Sequence, residues 1–160
     1  VVKLDIMKKV ELISVGQLKF KELKELEKLY TQKINHFTTF TSRSLKDVKT
    51  RDEEQKKKRE GEMMIQLLDP KDFVIALDQY GKKMDSLKFA GFLSDKLAYG
   101  SDKVVFLIGG HAGLADSLDP RIDFKLSFSD MTFGHDVFRV LFLEQLYRAF
   151  TIIKGIKYHR

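Results

Sequence analysis

Two stretches of this chain, Phe73-Val74-Ile75-Ala76-Leu77 and Val104-Val105-Phe106-Leu107-Ile108, are apolar at every position. A half-exposed strand alternates apolar with polar residues; a strand covered on both faces does not, and continuous runs of this kind belong to parallel sheets. Between them, residues 86–99 carry Leu87, Phe89, Ala90, Phe92, Leu93, Leu97 and Ala98 at helical spacing, which supplies a crossover between parallel neighbours. The strand-helix-strand order predicts an α/β fold, a mostly parallel sheet with helices on both faces.

Upstream, residues 9–15 are short, apolar-rich and ended by Gly16, and read as a strand. Residues 18–34 repeat apolar positions through Leu23, Leu26, Leu29 and Tyr30, a helix. The β-prone Phe37-Thr38-Thr39-Phe40 makes residues 34–40 a candidate second strand. Residues 42–60 are polar and charge-dense and read as a mobile loop leading into a helix around Met63, Met64, Ile65, Leu67 and Leu68. Lys56-Lys57-Lys58-Arg59 reads first as a solvated helical face and second as an RNA-backbone contact. The two methionines read as core filler.

Asp69-Pro70 marks a turn into the first apolar run, and Asp119-Pro120 separates a short helical segment from a final strand over residues 124–129. A last helix over residues 136–154 is apolar nearly all round, through Val137, Phe138, Val140, Leu141, Phe142, Leu143, Leu146, Tyr147, Ala149, Phe150, Ile152 and Ile153. Such a helix must be covered on more than one side. In a chain this small a subunit interface is the simplest cover, which predicts a homodimer.

The 160 residues suffice for one domain with its own core. We treat 1–160 as that domain; Met7-Lys8-Lys9 reads as a natural start with residues 1–6 as an N-terminal extension, the alternative being an authentic longer N-terminus. The absence of cysteine excludes thiolate nucleophiles and Cys-based zinc sites. No run approaches the ~18–20 apolar residues of a membrane span, and the N-terminal residues lack a signal-peptide core, so no membrane partner and a cytoplasmic location are expected. Twenty-nine Lys and Arg against 23 Asp and Glu give +6 and favour polyanionic partners.

Gly109-Gly110-His111-Ala112-Gly113 follows directly on the second apolar run, where open α/β sheets place their ligands. Its spacing fits neither the dinucleotide nor the P-loop pattern, and alone it reads as a structural turn more readily than as a ligand loop. His135 and Arg139 share a face near the start of the last helix, with Glu144, Gln145 and Arg148 beyond them. Glu144 and Arg148 read first as an ion pair. The four histidines lack metal-ligand spacing, so no metal is expected.

Taken in order, Phe106 to Leu114, Leu126 to His135, Arg139-Val140-Leu141 with Glu144 to Phe150, and Gly155 with Tyr158-His159 together resemble the ribosomal large-subunit pseudouridine N3-methyltransferase family of the SPOUT class. Val10 to Lys19 is similar to that family's opening strand. The resemblance implies a C-terminal trefoil knot, a homodimer, and S-adenosylmethionine as cofactor. Carried over by position, Leu77, Gly109, Gly110, Phe128, Ser129, Asp130, Met131, Thr132 and Phe133 would hold the methyl donor. The chain departs from the family pattern at Asp130, where many relatives carry Lys or a small residue, which leaves that side chain without an assigned role.

The implied chemistry is methyl transfer to a ring nitrogen of large-subunit ribosomal RNA in the assembled ribosome, an in-line displacement in which the protein positions the reactants. The target N–H must lose its proton. His135, Tyr158 and His159 are the titratable candidates, with His159 assigned to orienting the base and Arg139 and Arg160 to holding RNA phosphate. Two other readings compete: a non-catalytic RNA- or ribosome-binding protein on the same fold, and a small-molecule methyltransferase.

Overall fold

The structure, a computed structural model, describes residues 8–99 and 102–158. Its strands are β1 (Lys9–Val15), β2 (Thr39–Leu45), β3 (Phe73–Lys83), β4 (Lys103–Ile108) and β5 (Phe124–Ser127). Its helices are α1 (Lys21–Ile34), α2 (Glu53–Gln66), α3 (Ser86–Tyr99) and α4 (His135–Ile153), with a 3-10 helix at Asp116–Arg121. The strands form one sheet in the order β2-β1-β4-β3-β5, and every pairing is parallel. The two apolar runs therefore lie side by side near the centre of the sheet, as continuous hydrophobicity requires.

Side chains alternate between two cores. Val10, Leu12, Ile75, Leu77, Val104, Phe106 and Ile108 face α1, α3 and α4. Ile13, Val15, Val74, Val105 and Leu107 face α2 and the 3-10 helix, meeting Met64, Leu68 and Leu118. Met64 is the core filler expected of it.

Several bounds differ from the sequence reading. Residues 34–38 are not a strand: they close α1, where the Asn35 side chain donates to Thr31 O and accepts from Phe40 N, and Phe37 stacks on Phe150. The second strand starts at Thr39 and runs into the segment read as a mobile loop. The rest of that segment is largely α2, whose N-cap Asp52 accepts from Glu54 N and Gln55 N. β5 ends at Ser127, not residue 129. Pro120 lies inside the 3-10 helix and does not bound it.

β3 does not end at Leu77. Leu77 and Lys82 both pair with Leu126, so the four residues between them bulge out of the ladder and present Tyr80, 90% exposed, at the tip.

α4 lies between α1 and α3 and rests on the sheet, with Phe142 against Phe106 at 4.8 Å. Three of its sides are thus covered within one chain. This corrects the premise that its apolar circumference needs a second subunit for cover; only an outward stripe is left for one. Residues 1–6 and Met7 lie outside the described residues. Among the described residues no helix is long and apolar enough to cross a membrane.

Candidate functional site

The C-terminal ends of β1, β4, β3 and β5 line one edge of the sheet, and the sequence-predicted residues gather there. After Ile108 the chain turns tightly: Gly113 N donates to Gly110 O at 3.0 Å, and Gly113 takes a left-handed φ of 82°. A Cβ on Gly109 would stand 2.6 Å from Gly113 C. Glycine at 109 is therefore demanded by the turn's own close approach, which leaves that backbone bare at the strand end.

Leu77 is buried where the β3 ladder is interrupted, beside Leu126. Phe128 is half-buried, with ring contacts to Phe89, Phe138 and Phe142. Phe133 stacks on Phe138. Between them lies a cavity of about 350 Å3 lined by Met84, Asp85, Ser86, Phe89, Leu126, Phe128, Phe133, Leu141 and Gln145, at the small end of ordinary ligand pockets. Ser129 Oγ accepts from Met131 N, Ser127 Oγ donates to Ser129 O, and Met131 and Thr132 are exposed. Asp130 is bound to Lys83, the last residue of β3, at 2.5 Å, so this side chain ties its loop to the strand. A larger charged hollow of about 650 Å3 at the opposite sheet edge is lined by Lys9, Glu11, Arg43 and Lys103 among others, and it contains none of these residues.

The start of α4 is fastened to the end of β1. His135 Nε2 lies 2.8 Å from Val15 O; because a carbonyl can only accept, that nitrogen carries the proton. Asp136 accepts from Lys19 N at 3.0 Å. Arg139 is 1% exposed and donates to Val15 O, Gly16 O and Ser44 Oγ, with Glu27 at 3.8 Å. Burial pushes its pKa down, against the pull of Glu27 and Asp136. This corrects the expectation that Arg139 meets RNA phosphate: its two terminal nitrogens are held by Val15 O, Gly16 O and Ser44 Oγ, its Nε is buried without a partner, and it has no surface to offer.

Tyr158 is corrected in the same way as a proton acceptor. Burial, then its hydrogen bonding with Tyr30 and the Glu144 carboxylate, pushes its pKa up to about 12. Its hydroxyl donates to Glu144 Oε1 at 3.1 Å, and Arg148 pairs with the same oxygen at 2.6 Å. The Glu144–Arg148 ion pair is the one read from the sequence. His159 and Arg160 lie outside the described residues.

Sequence reasoning missed Glu60. It is 2% exposed, neither carboxylate oxygen has a hydrogen-bond partner, and Oε2 lies 2.9 Å from where a Cβ on Gly110 would stand. Its spacing carried the signal: Glu60 precedes Met64 by one helical turn, on the face of α2 that is buried. This orphaned acceptor, the bare Gly109-Gly110 backbone and the aromatic cavity give the sheet edge a polar end and an apolar end. S-adenosylmethionine has the matching parts, a cationic amino-acid end and a flat adenine, so the residues present fit it.

Residues 7–159 match a family model described as "Predicted SPOUT methyltransferase". The chain is 38% identical over 153 residues to a protein of Christiangramia forsetii named Ribosomal RNA large subunit methyltransferase H, covering 94% of this chain and 98% of that one. A protein of the same name from Carboxydothermus hydrogenoformans is 38% identical over 157 residues, 94% of this chain and 99% of its own. Among solved structures, the SpoU methyltransferase AviRb from Streptomyces viridochromogenes, in complex with AdoMet, aligns with 89% of this chain and 58% of its own at 11% identity and a TM-score of 0.46.

Proposed function

Because the chain belongs to the SPOUT methyltransferase family, we propose that it transfers the methyl group of S-adenosylmethionine to N3 of a pseudouridine in large-subunit ribosomal RNA. The observation that carries this reading is near full-length similarity to proteins named as large-subunit rRNA methyltransferases, together with convergence of the glycine turn, the Phe128 loop and the α4 start on one sheet edge. A cytoplasmic place of work and the assembled ribosome as substrate belong to the same reading.

When bound, the cofactor supplies a methyl group activated on a positively charged sulfur. Leu77, Gly109 and Gly110 would offer backbone groups at the strand ends, and Phe128 with Phe133 would wall the apolar side. Ser129 and Asp130 hold the loop's shape through their bonds to Met131 and Lys83, while Met131 and Thr132 lie on its exposed side. His135 is fixed by its bond to Val15 O, so its free nitrogen is the one turned to proton handling. His159 would orient the target base, and Arg160 together with the exposed Lys58 and Arg59 would meet phosphate. The trefoil knot that the family resemblance implies would be formed by the return of the chain from edge strand β5 past the glycine turn; the His135 and His111 rings, 5.6 Å apart, bring those two segments together.

A homodimer completes this reading. Met131, Phe133 and Val137 form an exposed apolar stripe beside the aromatic cavity, and a second copy seated there would wall the site's open side. The deciding experiment is mass spectrometry of ribosomal RNA from a deletion strain, before and after adding purified protein with S-adenosylmethionine. One methyl group lost and then restored is expected; no such change would defeat the reading. A His159→Ala protein that keeps full methylation would remove that residue from the site.

A further inference from the structure

We propose that Glu60 receives the α-ammonium group of the methyl donor, an inference that rests on the cofactor reading above. Glu60 sits on α2, which shares this face of the sheet with the 3-10 helix, yet its carboxylate reaches the end of β4 rather than a partner of its own. The point where a Cβ on Gly110 would stand is 2.9 Å from Glu60 Oε2 and 3.3 Å from Val15 Cγ1. The carboxylate is therefore lodged where β1 and β4 end, against the backbone of the glycine turn.

The charged and polar groups facing it leave it unsatisfied. Lys56 on the same helix is held by Asp47 at 2.7 Å. Asp47 and Val48 N–H approach from the segment after β2, and His111 on the glycine turn faces Asp47. None of these makes a hydrogen bond of ordinary geometry to either Glu60 oxygen. Burial is the main influence on Glu60 and raises its pKa, with Val48 N–H and Lys56 opposing and Asp47 adding to the rise.

A buried carboxylate without a partner is costly and persists where a partner arrives. S-adenosylmethionine offers four kinds of group to such an acceptor, the adenine amino group among them, a donor as neutral as a hydroxyl. Its sulfonium has no hydrogen to donate, and its ribose hydroxyls are neutral and leave the negative charge unbalanced. Its ammonium brings both charge and three donors, the strong type of hydrogen bond.

The test uses two ligands that share adenine and ribose. S-adenosylhomocysteine carries the ammonium; methylthioadenosine lacks the amino-acid end. Calorimetry on the full chain is expected to show Glu60→Gln losing about tenfold or more of its affinity for S-adenosylhomocysteine, with methylthioadenosine affinity unchanged. With the unaltered protein, acidification through Glu60's raised pKa should weaken S-adenosylhomocysteine selectively, and that measurement stands even if the variant fails to fold. Equal effects on both ligands, or none on either, would overturn the assignment while leaving the cofactor reading intact. Failure of the unaltered protein to bind either ligand would instead defeat the cofactor reading itself.

Discussion

Arg139 and Tyr158 show how a side chain that looks chemical in sequence becomes architectural once its partners are known. Arg139 reaches Val15 and Gly16, more than 120 positions earlier, and gathers the ends of β1 and β2 beneath the first turns of α4. Arg139→Met would strand Gly16 O while Val15 O keeps its bond to His135, at about 1–3 kcal/mol for a buried group left unpaired, so urea unfolding should show a loss of about 2 kcal/mol. A residue without a phosphate contact releases no counterions; the salt dependence of RNA binding by the folded variant should therefore match that of the unaltered protein. Tyr158 titrates near 12 when folded against 10.0 when unfolded. Between those values the folded state holds the extra proton, so its stabilising effect is complete below pH 10 and is lost as pH rises through 12. Denaturation followed across that range should lose this component of its slope in Tyr158→Phe.

At the scale of elements, α2 is the part of the fold least visible in sequence and the most consequential for the site. Its first half, Glu53 to Arg59, has no apolar residue, so periodicity could not separate helix from loop. What starts the helix is Asp52, whose carboxylate satisfies two otherwise free N–H groups. Asp52→Ala should cost about 1 kcal/mol of stability in thermal or urea unfolding, with the helix otherwise retained. Elements with apolar faces behaved differently: α3 has the bounds its spacing predicts, and α4 begins one residue early. The bulge after Leu77 was hidden because Asp78-Gln79-Tyr80-Gly81 shows no alternation and is shaped by the close approach of Gly81 to the β5 backbone and by the Gln79 side chain donating to Asp130 O. The glycine turn was legible as a strand-end segment, whereas the Phe128 loop was indicated by the family resemblance, its first two residues reading as strand by their alternation. The burial of Glu60 and Arg139 was not, because a charged residue's burial depends on partners brought in by other elements.

The whole molecule places its apolar surplus unevenly, and that distribution bears on its assembly. α4 is covered by α1, α3 and the sheet within one chain, so a subunit interface beside the aromatic cavity would use apolar residues left exposed there: Met131, Phe133 and, on α4, Val137, which is 52% exposed. A side chain that exposed contributes little to the core, so Val137→Glu should leave unfolding of the isolated chain within about 0.5 kcal/mol of its original value. In a self-complementary interface the same substitution acts twice, once from each subunit, and sets two carboxylates against apolar partners. Sedimentation of the unaltered protein should give twice the 18.6 kDa chain mass, and Val137→Glu should fall to the mass of one chain at the same concentration. Because the stripe borders the aromatic cavity, methyl transfer should fall along with the dimer. An unaltered protein that sediments as a single chain, or a Val137→Glu variant that remains paired and fully active, would take the interface away from this face.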